Sequence, residues 1–316
     1  MRAVALAFAL SLMAAAVGAS GEIPEYRPRA AVSGIIRNWG NEEFQPLLKR
    51  WELGFLKYHP NIHFDDKMRG PASAMAGIYT GAADFSWMGH ELLKEESMAF
   101  EWVFQYKALG IEVATSSLKA VHNSALAVFV QRDNPLDKIT LTELDRIFSS
   151  EGGVPAYGYG PSSEGGYYFR RFVMKDKLKW ASGVVLFDDE MQPDGRMRDA
   201  GPRILEALAR DRAGIAVAKM RYANPRVKVL AVAVESGAPY YPPTDETVRS
   251  RQYPLSRPMK VYLNPNPKEG LDPKVSEFLR FILSHEGQDA VQQQGSYFPL
   301  APPIAAAQLK KLEKLP

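Results

Sequence analysis

The sequence predicts an α/β protein with enough chain for two domains, and three observations carry that expectation. Strand-like and helix-like segments alternate from Ala31 to Met88, in the manner of a mostly parallel sheet with crossover helices. The run Ala125 to Val130 is apolar at every position and is closed by Asp133-Asn134-Pro135, as a strand buried on both faces would be. With 316 residues and 46% hydrophobic content, the chain can fill two cores of ordinary size.

Each element follows in order. Ile23 to Arg29 holds two prolines and reads as an extended lead-in. Ala31 to Ile36 is a strand, followed by a turn at Asn38-Trp39-Gly40-Asn41. Phe44, Leu47, Leu48, Trp51 and Phe55 repeat at helical spacing, which predicts a helix from Phe44 to Tyr58. Asn61 to Phe64 and Asp84 to Met88 are strands, with a short helix, Ala74 to Tyr79, between them. Beyond the central apolar strand, Thr140 stands three residues before Glu143, the spacing of a capping box, and predicts a helix running to Phe148. Tyr157 to Gly166 is rich in Gly, Ser and Tyr and reads as a loop, with a helix from Tyr167. Pro202 to Arg210 is helical; Gly214 to Ala218, Val227 to Val234 and Met259 to Leu263 are strands. Gly237 to Thr244 holds three prolines and is a loop. Pro273 to Gln294 is helical, broken at Gly287 and ended by Gly295.

Composition narrows the function. Arg2 is followed by the apolar run Ala3 to Val17 and the small residues Gly18, Ala19 and Ser20. That is the pattern of a secretory signal peptide over residues 1–19, and the run is short for a membrane span. The mature protein is therefore expected in the periplasm or outside the cell. With no cysteine there is no lipid anchor on cysteine, no disulfide, no thiol nucleophile and no iron–sulfur or zinc–thiolate site. A net charge of +3, with Lys and Arg dispersed, does not suggest nucleic-acid binding.

Three further segments carry a family resemblance. Asn123 to Val130, Asp133-Asn134-Pro135 and Leu141-Thr142-Glu143-Leu144 to Ile147-Phe148-Ser149 resemble the strand, turn and helix of PstS-type phosphate-binding proteins. Tyr253-Pro254-Leu255-Ser256-Arg257-Pro258 resembles the return crossing of that family. Phe278 to Ser284, Glu286-Gly287-Gln288 and Gly295 to Leu300 resemble its C-terminal helical region. The likeness spans roughly Ile35 to Leu300. It implies a two-lobed periplasmic-binding-protein fold, two mixed sheets flanked by helices with a cleft between the lobes. Residues 27–122 plus 256–316 would form one lobe and 123–255 the other. It also implies a small-molecule ligand, hinge closure, and delivery to a membrane permease or a sensor subunit. No cofactor and no enzymatic step are expected, and the protein is expected to be a monomer.

The ligand loops depart from the family pattern. At the first, Gly40 is followed by Asn41, Glu42 and Glu43, where hydroxyl and backbone donors are expected. At the second, Ser73 remains a donor, but Gly89 stands in place of an acidic acceptor, and Trp87 and Met88 precede it. At the third, Tyr157-Gly158 agrees, Tyr159 replaces an arginine, and Ser163-Glu164-Gly165 replaces the hydroxyl-rich turn. A charge-assisted bond is worth about 1.5–3 kcal/mol, a tenfold to hundredfold change in affinity. Tight phosphate binding is therefore not expected. Trp39, Trp87 and Tyr159, with Asn41, Glu42, Ser73, Ser162, Ser163 and Glu164, instead suggest a larger organic ligand. The alternatives are a true phosphate or oxyanion carrier and, from another class, a secreted hydrolase using Ser162 or Ser163. His59 and His63 are separated by Pro60 in a helix-to-strand junction, so they do not form a helical metal pair.

Overall fold

The computed structural model describes residues 21–40, 44–69, 71–88, 91–92, 94–120, 124–150, 153–161, 163–193 and 197–315; at 71, 72, 164, 191 and 197 it describes the backbone alone. The segment expected to be a signal peptide lies outside them. Among the described residues, no helix is long and apolar enough to cross a membrane.

The chain enters through β1 (Gly34–Gly40), α1 (Gln45–Phe55), β2 (Ile62–Lys67), α2 (Pro71–Tyr79), β3 (Phe85–Trp87), α3 (Lys94–Phe104) and β4 (Leu109–Ser116). It continues through β5 (Leu126–Gln131), β6 (Lys138–Thr140), α4 (Leu141–Ser149), β7 (Ala156–Tyr159), α5 (Glu164–Phe172), β8 (Val184–Phe187), β9 (Glu190–Met191) and β10 (Met197–Arg198). Next come α6 (Gly201–Leu208), β11 (Ile215–Lys219), β12 (Val227–Val229), β13 (Ala231–Ala233) and α7 (Asp245–Arg249). It then returns through β14 (Pro258–Leu263), α8 (Pro273–Ile282), α9 (His285–Gln294), β15 (Tyr297–Phe298) and α10 (Pro302–Glu313).

Two mixed sheets organise these elements. The first has the order β15-β4-β14-β3-β1-β2, with β1 parallel to β2 and β3, and β14 antiparallel to β3 and β4. The second has the order β12-β5-β11-β7-β8, with β7 parallel to β11 and β8. Each sheet has its own core. In the first lobe, α1 turns Leu47, Leu48, Trp51 and Phe55 onto the sheet, where they meet Ile36, Phe85, Trp87, Val261 and Phe278. In the second, β5 is apolar and buried from Leu126 to Val130 and β11 from Ile215 to Ala218, as central strands covered on both faces must be. The crossing segments lie side by side: Ser116 N–H donates to the Arg257 carbonyl at 2.9 Å, and Arg257 N–H to Ser116 Oγ at 3.2 Å.

The local signals held where a cap fixes the element. Thr140 and Glu143 form the predicted capping box, with Glu143 N–H on Thr140 Oγ1 at 3.0 Å and Thr140 N–H on Glu143 Oε2 at 2.8 Å. Gly295 ends α9 in the left-handed region at φ 80°. Four expectations were displaced. Asn38 to Gly40 is the end of β1 rather than a turn, because β2 and β3 pair with it there. Tyr157 to Tyr159 is strand, held between β11 and β8. α5 starts at Glu164, capped by Ser163, rather than at Tyr167. The C-terminal helix breaks at Ser284, which caps α9, and not at Gly287; a Cβ on Gly287 would stand 2.2 Å from the Phe281 carbonyl oxygen, so that glycine allows the two helices to meet.

Candidate functional site

In sheets of this kind ligands gather outside the carboxyl ends of parallel strands, where helices begin. In the first lobe, β1 leads to α1 and β2 to α2; in the second, β7 leads to α5. The two carboxyl edges face each other: Tyr167, in the first turn of α5, donates its hydroxyl proton to the Leu92 carbonyl, just past β3, at 3.0 Å. Tyr168 donates to the Ser256 carbonyl at 3.0 Å, which ties the same turn to the crossing segment. The cleft between them is therefore bordered by the starts of α1, α2 and α5. The cap residue of α1, Phe44, has no side-chain acceptor for the first amides of the helix. Such amides, with the helix dipole behind them, favour a negative charge.

The charge at this place comes from the crossing segment. Arg257 is 1% exposed, and its guanidinium lies 5.0 Å from the centroid of the Tyr168 ring. Burial pushes the Tyr168 phenol up to about 12, against the pull of Arg257. Arg251 pairs with Glu112 of β4 and donates to Thr115 Oγ1 at 3.3 Å. The turn before α5 is tight: Ser163 Oγ accepts from Gly166 N–H at 3.1 Å and donates to the Gly160 carbonyl at 2.9 Å. A Cβ on Gly166 would stand 2.0 Å from that carbonyl oxygen, so only glycine closes the turn. With its proton committed to a carbonyl, Ser163 is a helix cap, and the nucleophile expectation fails there.

Two of the three aromatic residues expected to line the cleft, Trp87 and Tyr159, are buried in the lobe cores. Trp87 is fully buried in the first core, stacked on Trp51 and Phe85 with centroids 5.7 Å away in each case. Its indole N–H donates to Asn38 Oδ1 at 3.0 Å, which removes the last polar reason to turn outward. Tyr159 is 2% exposed; its hydroxyl donates to Asp199 Oδ1 at 2.9 Å and accepts from Lys219 N–H at 3.3 Å. Burial drives the Tyr159 phenol well up, and Asp199 adds to it. Lys219 Nζ lies 2.6 Å from Asp199 Oδ2, so this buried lysine has its counter-charge within its own lobe. Trp39 is half-buried; its ring packs on α2 at Gly77, with Lys67 Nζ 5.4 Å from its centroid. Ser73 lies half-buried in the first turn of α2 and keeps a partner. Asn41, Glu42 and Ser162 lie outside the described residues, and of Glu164 only the helical backbone is described.

Beneath the first-lobe edge lies a buried polar network. Asn38 Nδ2 donates to Asp66 Oδ1 at 2.9 Å, and Lys49 Nζ reaches Glu52 Oε2 at 2.7 Å and also Asp66. Burial, reinforced by the Asp66 charge, pushes the Glu52 carboxyl from an ordinary 4.5 up to about 7, although Lys49 opposes the shift. Between those two values the folded protein holds a proton that the unfolded chain has released. Stability from this group is thus fully present below pH 4.5 and is lost as pH rises through 7, by about 3 kcal/mol in total. In Glu52→Gln that decline is expected to disappear, as urea denaturation at pH 5 and pH 8 would show.

Sequence reasoning passed over Arg257, Lys219 with Asp199, and the whole of α3. Arg257 alone had a signal, being a charged residue inside a motif that precedes an apolar strand. The partners of the others come from segments remote in sequence.

Comparison with known proteins agrees with the geometry. Residues 27–286 match a family model described as a PBP superfamily domain. The phosphate-binding protein PstS of Pseudomonas aeruginosa is 27% identical over 330 aligned residues, covering 99% of each chain. The crystal structure of PstS from Borrelia burgdorferi superposes with a TM-score of 0.57, at 17% identity over 85% of this chain and all of that one. An ABC-type phosphate transport receptor from Vibrio cholerae gives 0.54, at 16% identity over 83% of this chain and 99% of its own. At those identities the two structures speak for the fold.

Proposed function

Because the chain belongs to the PBP superfamily, as a PstS-type solute-binding transport protein rather than an enzyme, we propose that it captures a phosphate-like oxyanion between its lobes. It then hands the ion to a membrane permease. The signal-like N-terminus and the periplasmic setting of such carriers support an exported protein. The observation that carries the ligand reading is buried Arg257 of the crossing segment, packed on Tyr168 of α5, the helix that begins at the carboxyl end of β7. The PstS relative, similar along its full length, supports it as well. Of the aromatic residues that suggest an organic ligand, Trp39, Trp87 and Tyr159, the last two are bound up in the lobe cores. The loss of an arginine at Tyr159 also weighs less once Arg257 supplies a cation from the hinge.

The test is a thermal shift followed by calorimetry on the mature protein with phosphate, sulfate and glucose. A site of about 1 μM at 1 mM phosphate should stabilise the fold by about 4 kcal/mol, a rise of several degrees. Glucose should leave it unmoved. No rise with phosphate, together with a rise from a neutral organic solute, would return the cleft to the organic reading.

A further inference from the structure

The Leu92 carbonyl is presented to the opposite lobe by a hydrogen-bonded frame. Leu92 N–H donates to the Tyr262 hydroxyl at 3.2 Å, and that hydroxyl donates to Glu91 Oε2 at 3.0 Å. The other Glu91 oxygen takes Lys260 Nζ. Tyr262 is 5% exposed, so the frame is anchored inside the first lobe on β14. From the second lobe the Tyr167 hydroxyl closes on that carbonyl at 3.0 Å, and Arg171 Nη1 lies 3.5 Å behind the same hydroxyl. The Arg170 guanidinium stands 5.7 Å from the Tyr167 ring centroid. Charges of opposite sign interleave along this seam. Burial raises the Tyr262 phenol and Glu91 adds to it, while Arg171 of the other lobe opposes the rise; burial also raises the Tyr167 phenol, against the pull of Arg171.

We propose that Tyr167 is the latch of the cleft, a positioning residue whose hydroxyl, seated on the Leu92 carbonyl, sets the balance between shut and open lobes. Its place supports this role. It bridges from α5 to the segment past β3, whereas Tyr168 on Ser256 and Arg251 on Glu112 are tied to the crossing segments and the strand beside them. Closing a two-lobed binder is an equilibrium between two arrangements, so one added bond changes the populations rather than the shape of either state. Apparent affinity then follows the fraction that can shut. The latch deepens the oxyanion reading and depends on it only for the ligand arm of the test.

The absence of cysteine makes the measurement direct. Spin labels on Trp102→Cys in α3 and Leu178→Cys after α5, positions 76% and 78% exposed, report the distance between the lobes. Without ligand, Tyr167→Phe is expected to move the open-to-shut ratio by roughly two- to tenfold toward open, the value of one neutral hydrogen bond. Tyr262→Phe, which unseats the Leu92 carbonyl from the other side, should shift it the same way. Phosphate should bind Tyr167→Phe more weakly by a similar factor. Distance distributions identical among the parent and both variants would overturn the latch. If phosphate binds none of them, the ligand-free distances still decide it, so the latch and the ligand reading can fail separately.

Discussion

Trp87→Ala is expected to destabilise the first lobe by about 3–5 kcal/mol, the usual cost of emptying a large aromatic from a core. The ring lies among Trp51, Phe85 and Phe44, the last with its centroid 5.9 Å away, and none of it is exposed. The variant also takes the indole donor from Asn38, whose oxygen is buried and would remain without it, a loss in the range of about 1–3 kcal/mol. Trp87→Phe helps to separate the two contributions, since it keeps a large aromatic ring in the core while removing the N–H. Urea denaturation reads the stability, and phosphate titration of the folded variant reads the cleft. If Trp87→Ala stays within 1 kcal/mol of the parent but loses ligand, the residue lines the cleft after all and the core assignment is wrong.

The second large effect belongs to the other lobe. Asp199→Ala should cost about 3–5 kcal/mol, because it leaves the Lys219 ammonium buried without its counter-charge. It also strips an acceptor from the Tyr159 hydroxyl and from Gly201 N–H, which sits 2.7 Å from Asp199 Oδ1. Burial alone would raise the Asp199 carboxyl, yet Lys219 and these donors hold it below its ordinary value, so Asp199 is a carboxylate at neutral pH. Lys219→Met in the Asp199→Ala background should recover part of the loss, since an apolar chain of similar length needs no partner. A double-mutant cycle by chemical denaturation measures the coupling. A coupling near zero would mean that the lysine reaches solvent in the folded state and that the ion pair contributes little.

Much of this molecule could be read from residues close together in the chain. The helical spacing of Leu47, Leu48, Trp51 and Phe55 sufficed for α1, because a helix that buries one face announces its period. Thr140 and Glu143 sufficed for the start of α4, since a capping box closes within four residues. The unbroken apolar run at 125–130 marked the central strand of the second sheet. Three short motifs in the right order were enough for the family, because they report the same fold at separate places in the chain.

The site was less legible. Trp87 and Tyr159 stand beside ligand loops in sequence, and adjacency to a loop says nothing about which way a strand residue points. All three residues of β3 are buried between β1 and β14, so Trp87 belongs to the core although it ends the strand nearest the loop, and only the pairing with β1 and β14 makes that plain. Tyr159 found Asp199 forty positions away and Lys219 sixty away. Arg257 came to the hinge because β14 must return beside β4.

The sequence by itself thus determined the α/β class, the family and the caps that punctuate the elements, because periodicity, capping and motif order are local properties of the chain. Only the tertiary structure decided which aromatics are core, where the hinge cation sits and how Tyr167 meets Leu92. Those depend on strand register and on two lobes meeting, and a side chain's solvent or partner is set by segments that the chain brings together only when it folds.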